Sequence, residues 1–161
     1  MDWHTHHDAG VTFADNRKTV AARFPEFSDE ILAFDTRFDE MLGEPIAETM
    51  AVIEELEALG VPQYALTNMP AEKAQMVFDH IPAFRHMKDV VISGVEKLIK
   101  PDPAIFRLAL ARMNLAAPDV FFTDDNLANI EAADKLGFVT HLFDRPETLR
   151  PALVAAGVLT D

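Results

Sequence analysis

The chain has 161 residues, 49% hydrophobic and 25% charged, enough for one domain with an apolar core. Its formal charge of −13 opposes binding to nucleic acid or anionic membranes, which depends on clustered Lys and Arg. Cysteine is absent, which excludes disulfides, thiolate nucleophiles and Cys-based zinc sites and fits a cytoplasmic home.

No apolar run reaches membrane-spanning length. Residues 1–11 are polar and His-rich, unlike a signal peptide. Residues 12–24 read as a helix ended by Pro25. Residues 28–42 read as a second helix, with Ser28 as its N-cap. Ile31, Phe34, Phe38, Met41 and Leu42 give it one apolar face. Gly43 and Pro45 break the pattern, so residues 1–45 read as a partial helical cap.

From residue 46 the rhythm alternates between helix and strand. Helices are expected over 46–60, 71–81, 103–114, 127–137 and 147–157. Short strands are expected over 61–67, 89–93, 119–125 and 138–143. Strands separated by helices pair in parallel through right-handed crossovers. The fold class is therefore α/β, a doubly wound Rossmann-like sheet over residues 46–161 carrying the cap at its N-terminus.

Such sheets bind ligands beyond the carboxyl ends of their strands. That rule selects Thr67 and Asn68, Ser93 and Gly94, and Asp124 and Asp125, with Lys100 just before a helix. A hydroxyl and an amide (Thr67, Asn68) can hold anionic oxygens of a substrate. Lys100 can neutralise charge that develops on them. Asp124 and Asp125 can hold a hard cation such as Mg²⁺. Together these groups meet the needs of phosphoryl transfer, which is mostly positioning and charge stabilisation. Taken singly, each has a plainer reading: the acids as helix caps, Lys100 as a surface lysine, Thr67 as a strand-end hydroxyl.

Three segments in register carry a resemblance. ALTNMP at 65–70, LIKPDPAIF at 98–106 and FFTDDNLANIEAADKLGF at 121–138 resemble the second, third and fourth motifs of the haloacid dehalogenase superfamily. The phosphatase-like branch with an α-helical cap is the nearest match. The resemblance implies a Mg²⁺-dependent phosphatase of a small phosphorylated metabolite, working through an aspartyl-phosphate intermediate. It implies that Thr67 bonds the transferring group and that Lys100 holds nucleophile and phosphoryl charge together. It makes Asp125 the expected Mg²⁺ ligand, with Asp124 beside it, and Asn129 a brace for that loop.

The superfamily's first motif, a central strand ending in Asp-x-Asp, has no counterpart in this sequence. The one near match, ILAFDTRF at 31–38, has Arg37 where the second aspartate belongs, and reads as a helix. Without that strand, two inner sheet edges would lack partners. A longer gene product, a strand from another chain, or a sheet closed around the gap would each answer this; the first is favoured. The chain is then expected to be truncated and inactive alone, and open to self-association through the unpaired edge. The alternatives in function are a metal-free dehalogenase, disfavoured by the acidic pair, and a non-catalytic remnant with a binding role. A receiver domain is rejected, because its acidic pair comes first in the chain. His4 and His6 suggest a metal site, yet no apolar strand precedes them, and a cap segment facing the pocket is the preferred reading.

Overall fold

A computed structural model describes residues 3–160. The chain opens with three helices, α1 (Trp3–Asp8), α2 (Phe13–Arg23) and α3 (Ser28–Thr36). Thr12 caps α2, its side chain accepting from the Asp15 N–H at 3.1 Å. The expected single helix over 28–42 is broken at Arg37. A 3-10 turn, Phe38–Met41, follows the break. Ser28 does not cap α3; it lies inside the helix and donates to the Pro25 carbonyl at 2.7 Å.

Aromatic packing explains why these short helices hold together. Trp3 lies 4.5 Å from Phe34, ring centre to ring centre, and His7 stacks on Phe13 at 4.0 Å. Phe38 meets Phe34 edge-on at 5.9 Å. Trp3 therefore anchors the helices to one another. His7, almost fully buried, spends both ring nitrogens: Nδ1 faces the Val11 carbonyl at 3.3 Å, and Nε2 faces the Asn16 amide nitrogen at 3.0 Å.

The α/β part follows in chain order: α4 (Ala47–Ala58), β1 (Tyr64–Thr67), α5 (Ala74–His80), β2 (Asp89–Ile92), α6 (Ser93–Glu96), α7 (Pro103–Met113), β3 (Phe121–Asp124), α8 (Leu127–Asp134), β4 (Val139–Leu142) and α9 (Pro146–Ala155). Every strand read from the sequence is present and parallel, each trimmed to four residues. Asp102 caps α7 and Asn126 caps α8 through their side-chain oxygens. None of the helices is long and apolar enough to cross a membrane, among the described residues.

Among the described residues the strands form two separate pairs. β1 pairs with β2, Thr67 opposite Ile92; β3 pairs with β4, Asp124 opposite Leu142. The sheet does not close around a gap. Instead Tyr64, Ala65 and Leu66 of β1 border the same cavity of about 430 Å³ as Phe121, Phe122 and Thr123 of β3. Two apolar clusters flank that cavity. One centres on Ile105 and Phe106, both 0% exposed, with Val91, Ala133 and Phe138. The other joins Val52 and Leu56 of α4 to Leu149 and Leu153 of α9.

Candidate active site

The site is assembled where β1 and β3 end. Lys100 follows α6 in the loop before α7, and its peptide bond to Pro101 is cis. Its ammonium donates to the Leu66 carbonyl at 2.7 Å and to Asp124 Oδ2 at 2.6 Å. The two side chains are only 9% and 7% exposed, so this ion pair is screened far less than a surface one. The lysine thus ties the end of β1 to the end of β3 across the cavity. Its ammonium also lies 5.9 Å from the centre of the Phe122 ring.

Asp124 is fully engaged. Its Oδ1 accepts from the Asn126 N–H at 2.9 Å and from Asn129 Nδ2 at 2.8 Å. These bonds fix the loop that leads into α8. Asp125, next in the chain, is exposed, and its carboxylate is the one the Lys100 ammonium does not hold. The structure joins Lys100, Asp124 and Asn129 through hydrogen bonds, with Asp125 next to Asp124 in the chain and Thr67 one residue beyond the carbonyl that Lys100 grips.

Asn68 does something the sequence reading did not anticipate. Its amide was expected to hold a substrate oxygen. Instead Nδ2 donates to the Lys100 carbonyl at 3.0 Å, and Oδ1 accepts from the Lys100 N–H at 2.9 Å. The side chain therefore positions the lysine. Nothing local in the sequence could reveal this, since the two residues lie 32 positions apart.

Ser93 and Gly94, the other strand-end pair, brace the turn after Thr67. Ser93 Oγ accepts from the Met69 N–H at 2.9 Å and is fully buried. The Gly94 N–H donates to the Met69 carbonyl at 3.1 Å. A Cβ on Gly94 would fall 2.5 Å from the Ala71 nitrogen, so only glycine allows this approach.

Two polar atoms are buried without a partner among the described residues: Asn129 Oδ1 and Thr49 Oγ1. Thr49 lines the cavity between β1 and β3. A buried polar atom left unbonded costs about 1–3 kcal/mol. Among the described residues, no group of three or more His or acidic side chains gathers for a metal ion. That includes the histidines of α1.

A second cavity, of about 380 Å³, opens beside Thr67 and Asn68 and reaches into the cap. Its walls include Phe34, Phe38, Met41, Leu42, Met69 and Val77, together with His4 and Asp8. Burial pushes the Asp8 carboxyl up, and His4 nearby opposes the shift. The sequence did place the apolar residues 34, 38, 41 and 42 on one face. It also placed the segment around His4 facing the pocket, and His4 and Asp8 do line this cavity.

Comparison with known proteins agrees with this geometry. A profile of haloacid dehalogenase-like hydrolases matches residues 3–137. Acyl-CoA dehydrogenase family member 10 of Mus musculus is 38% identical over 97 residues, which is 60% of this chain and 9% of that protein. The sesquiterpene phosphatase astK of Aspergillus oryzae is 30% identical over 101 residues, 62% of this chain and 52% of that protein. The chain thus spans about half or less of the length of these two curated relatives. A HAD family enzyme of Bacteroides thetaiotaomicron, solved with magnesium and inorganic phosphate, superposes with a TM-score of 0.70 at 21% identity, covering 84% of this chain and 71% of that one. A HAD-like family hydrolase of Porphyromonas gingivalis gives 0.71 at 21% identity, covering 92% and 75%. With three motifs meeting at the strand ends and the profile spanning most of its length, this chain belongs to the haloacid dehalogenase-like hydrolases.

Proposed function

We infer that this chain forms most of a magnesium-dependent phosphatase for a small phosphorylated metabolite, and that it needs one further strand to work. The observation that carries the reading is the position of the Lys100 ammonium. It sits between the Leu66 carbonyl and Asp124 Oδ2, and so joins the ends of the two strands, β1 and β3, that border the first cavity. A buried cation there favours an anion at the same spot, both as an attacking carboxylate and as a phosphoryl group gaining charge.

The donor set suits magnesium in part. Asp125 offers an exposed carboxylate; Asp124 beside it is spent on Lys100, Asn126 and Asn129 and would steady the loop that carries Asp125. Magnesium usually takes one or two carboxylates, several waters and substrate phosphate. Bound there, it would stabilise charge on the phosphoryl oxygens. The relative from Bacteroides thetaiotaomicron, solved with magnesium and phosphate, supports the choice of ion. The phosphatase activity of astK supports a phosphate ester as substrate.

The nucleophile is the missing part. Asp35, the one candidate in the near match at 31–38, is tied to Lys73 at 2.9 Å and Arg17 at 3.0 Å inside the cap. A strand seated between β1 and β3, ending in Asp-x-Asp, would pair with both edges and cover the two apolar clusters. Its first aspartate would attack phosphorus beside Lys100. Its second would give a proton to the departing oxygen, then take one from the water that frees phosphate. Thr67 would bond the transferring group. Asn68 would hold Lys100 in place. The first 45 residues act in this reading as a partial cap on the core that follows.

An aryl phosphate assay tests the reading. The chain alone is expected to be inactive. The chain extended at its N-terminus by a hydrophobic strand ending in Asp-x-Asp is expected to turn over the ester only with Mg²⁺. Asp125→Ala should abolish that turnover. Activity without a divalent cation, or a folded extended protein with no activity, would overturn the assignment.

A further inference from the structure

We propose that the cavity beside Thr67 receives an uncharged, mainly hydrocarbon leaving group, so that the substrate is an alkyl or alkenyl phosphomonoester. The inference rests on the phosphatase reading for the phosphate end of the ligand and on the cavity for its other end.

The cavity begins at Thr67, the strand-end hydroxyl next to the carbonyl gripped by Lys100. A phosphate held at that strand end would therefore send its ester group into this space. Beyond Thr67 and Asn68 the walls are mainly apolar, Phe34, Phe38, Met41, Leu42, Met69 and Val77, with His4 and Asp8 as the polar groups of the cap side. Met69 and Val77 are buried, and Phe34 and Phe38 are held at fixed geometry by the aromatic cluster behind them. A volume of about 380 Å³ lies at the small end of the range for organic ligands.

Charge narrows the class further. No lysine or arginine is among the residues lining the cavity. Two cations of this region, Lys73 and Arg17, are committed elsewhere. Lys73 donates to the Asp35 carbonyl at 2.7 Å and to Asp35 Oδ1 at 2.9 Å, and lies 4.4 Å from the Phe13 ring centre. Arg17 pairs with the same aspartate. Asp8 is the acidic group on the wall. A second phosphate or a carboxylate on the leaving group would meet that acid, with His4 as the one basic side chain on the described wall. A polyol could reach His4 and Asp8 with some hydroxyls but would leave the rest facing aromatic and thioether surface, where each loses hydrogen bonds to water. A hydrocarbon chain loses nothing there and gains about fourfold in affinity for each methylene buried.

The single tryptophan gives a readout that needs no turnover, because Trp3 packs against Phe34 on the cavity wall. The purified chain would be titrated with octyl phosphate and with glycerol 3-phosphate, following Trp3 emission. Octyl phosphate is expected to bind at least tenfold tighter. Phe38→Ser should remove most of that preference. Met41→Lys offers a safer second variant, since Met41 is 52% exposed, and should narrow the ratio by placing an ammonium at the rim. Equal affinities, no binding of octyl phosphate, or a preference unchanged in both variants would overturn the proposal. The phosphatase reading is scored separately, in the strand-extended protein. Hydrolysis of both esters at equal efficiency sinks the pocket assignment alone. A binding preference without hydrolysis sinks the phosphatase reading alone.

Discussion

Asn68 clasps the main chain of Lys100 at both ends of one residue, donating to its carbonyl at 3.0 Å and accepting from its N–H at 2.9 Å. The consequence is a lysine whose backbone is fixed before any substrate arrives. Preorganisation of this kind saves reorganisation in the transition state. Asn68→Ala should lower kcat of the strand-extended enzyme by about 10–100-fold with a smaller change in KM. The same change should cost about 1 kcal/mol in urea unfolding of this chain. A pure KM effect would instead assign Asn68 to substrate contact.

The Lys100–Asp124 pair should be asymmetric to mutation. Lys100→Met leaves the Asp124 carboxylate buried without its cation and should destabilise by about 3 kcal/mol. Asp124→Asn keeps an acceptor for the Asn126 N–H and should cost less. Combining the two should cost less than the sum, and a double-mutant cycle in urea measures the difference.

Acid should loosen the cap before it unfolds the rest. Burial lowers the pKa of His7, against the opposing pull of the Val11 carbonyl and of the Glu72 and Asp35 carboxylates. The folded chain therefore binds a proton at His7 less readily than the unfolded chain. This contribution to stability is complete above the ordinary imidazole value near about 6.5 and is lost as pH falls below it. The slope from His7 cannot exceed about 1.4 kcal/mol per pH unit. Protonation would also point Nε2–H at the Asn16 amide nitrogen, donor against donor. Trp3 emission between pH 7 and 5 should report the change, and His7→Gln should flatten it. His141 is likewise lowered by burial, so His141→Gln serves as the control for the same window outside the cap.

The turn after Thr67 should tolerate little. Ser93→Ala strips the buried Met69 N–H of its acceptor and should cost about 2 kcal/mol. Gly94→Ala drives a methyl group into the Ala71 backbone and should shift the turn itself. In the strand-extended enzyme both changes should reduce activity. Thermal melts separate the stability loss from the loss of turnover measured well below the melting point.

The positions of Thr67 and Asp124 were legible in the sequence, because short apolar runs alternate with helices and each of these residues closes such a run as the last of its strand. The cap was harder to read. The helix Trp3–Asp8 has no apolar period of its own; the rings of Phe13 and Phe34 hold it through contacts distant in sequence. The continuous helix expected over 28–42 breaks at Arg37 because residue 37 leaves helical geometry, and the turn after it still presents Phe38 to Phe34 and Phe13. Periodicity registered which residues face inward and missed the change of path between them. The bond from Asn68 to the Lys100 backbone could not be read from the sequence for a different reason. An amide at a strand end can serve a ligand or a neighbouring loop, and only the fold decides between them.

A lone exposed strand edge invites unlimited growth, since each added strand offers a fresh edge to the next. The cavity between β1 and β3 is walled by strand on both flanks. A guest lying there would use up both rows of peptide groups at once and present nothing further outward. Occupancy of the slot should therefore stop at one guest per molecule.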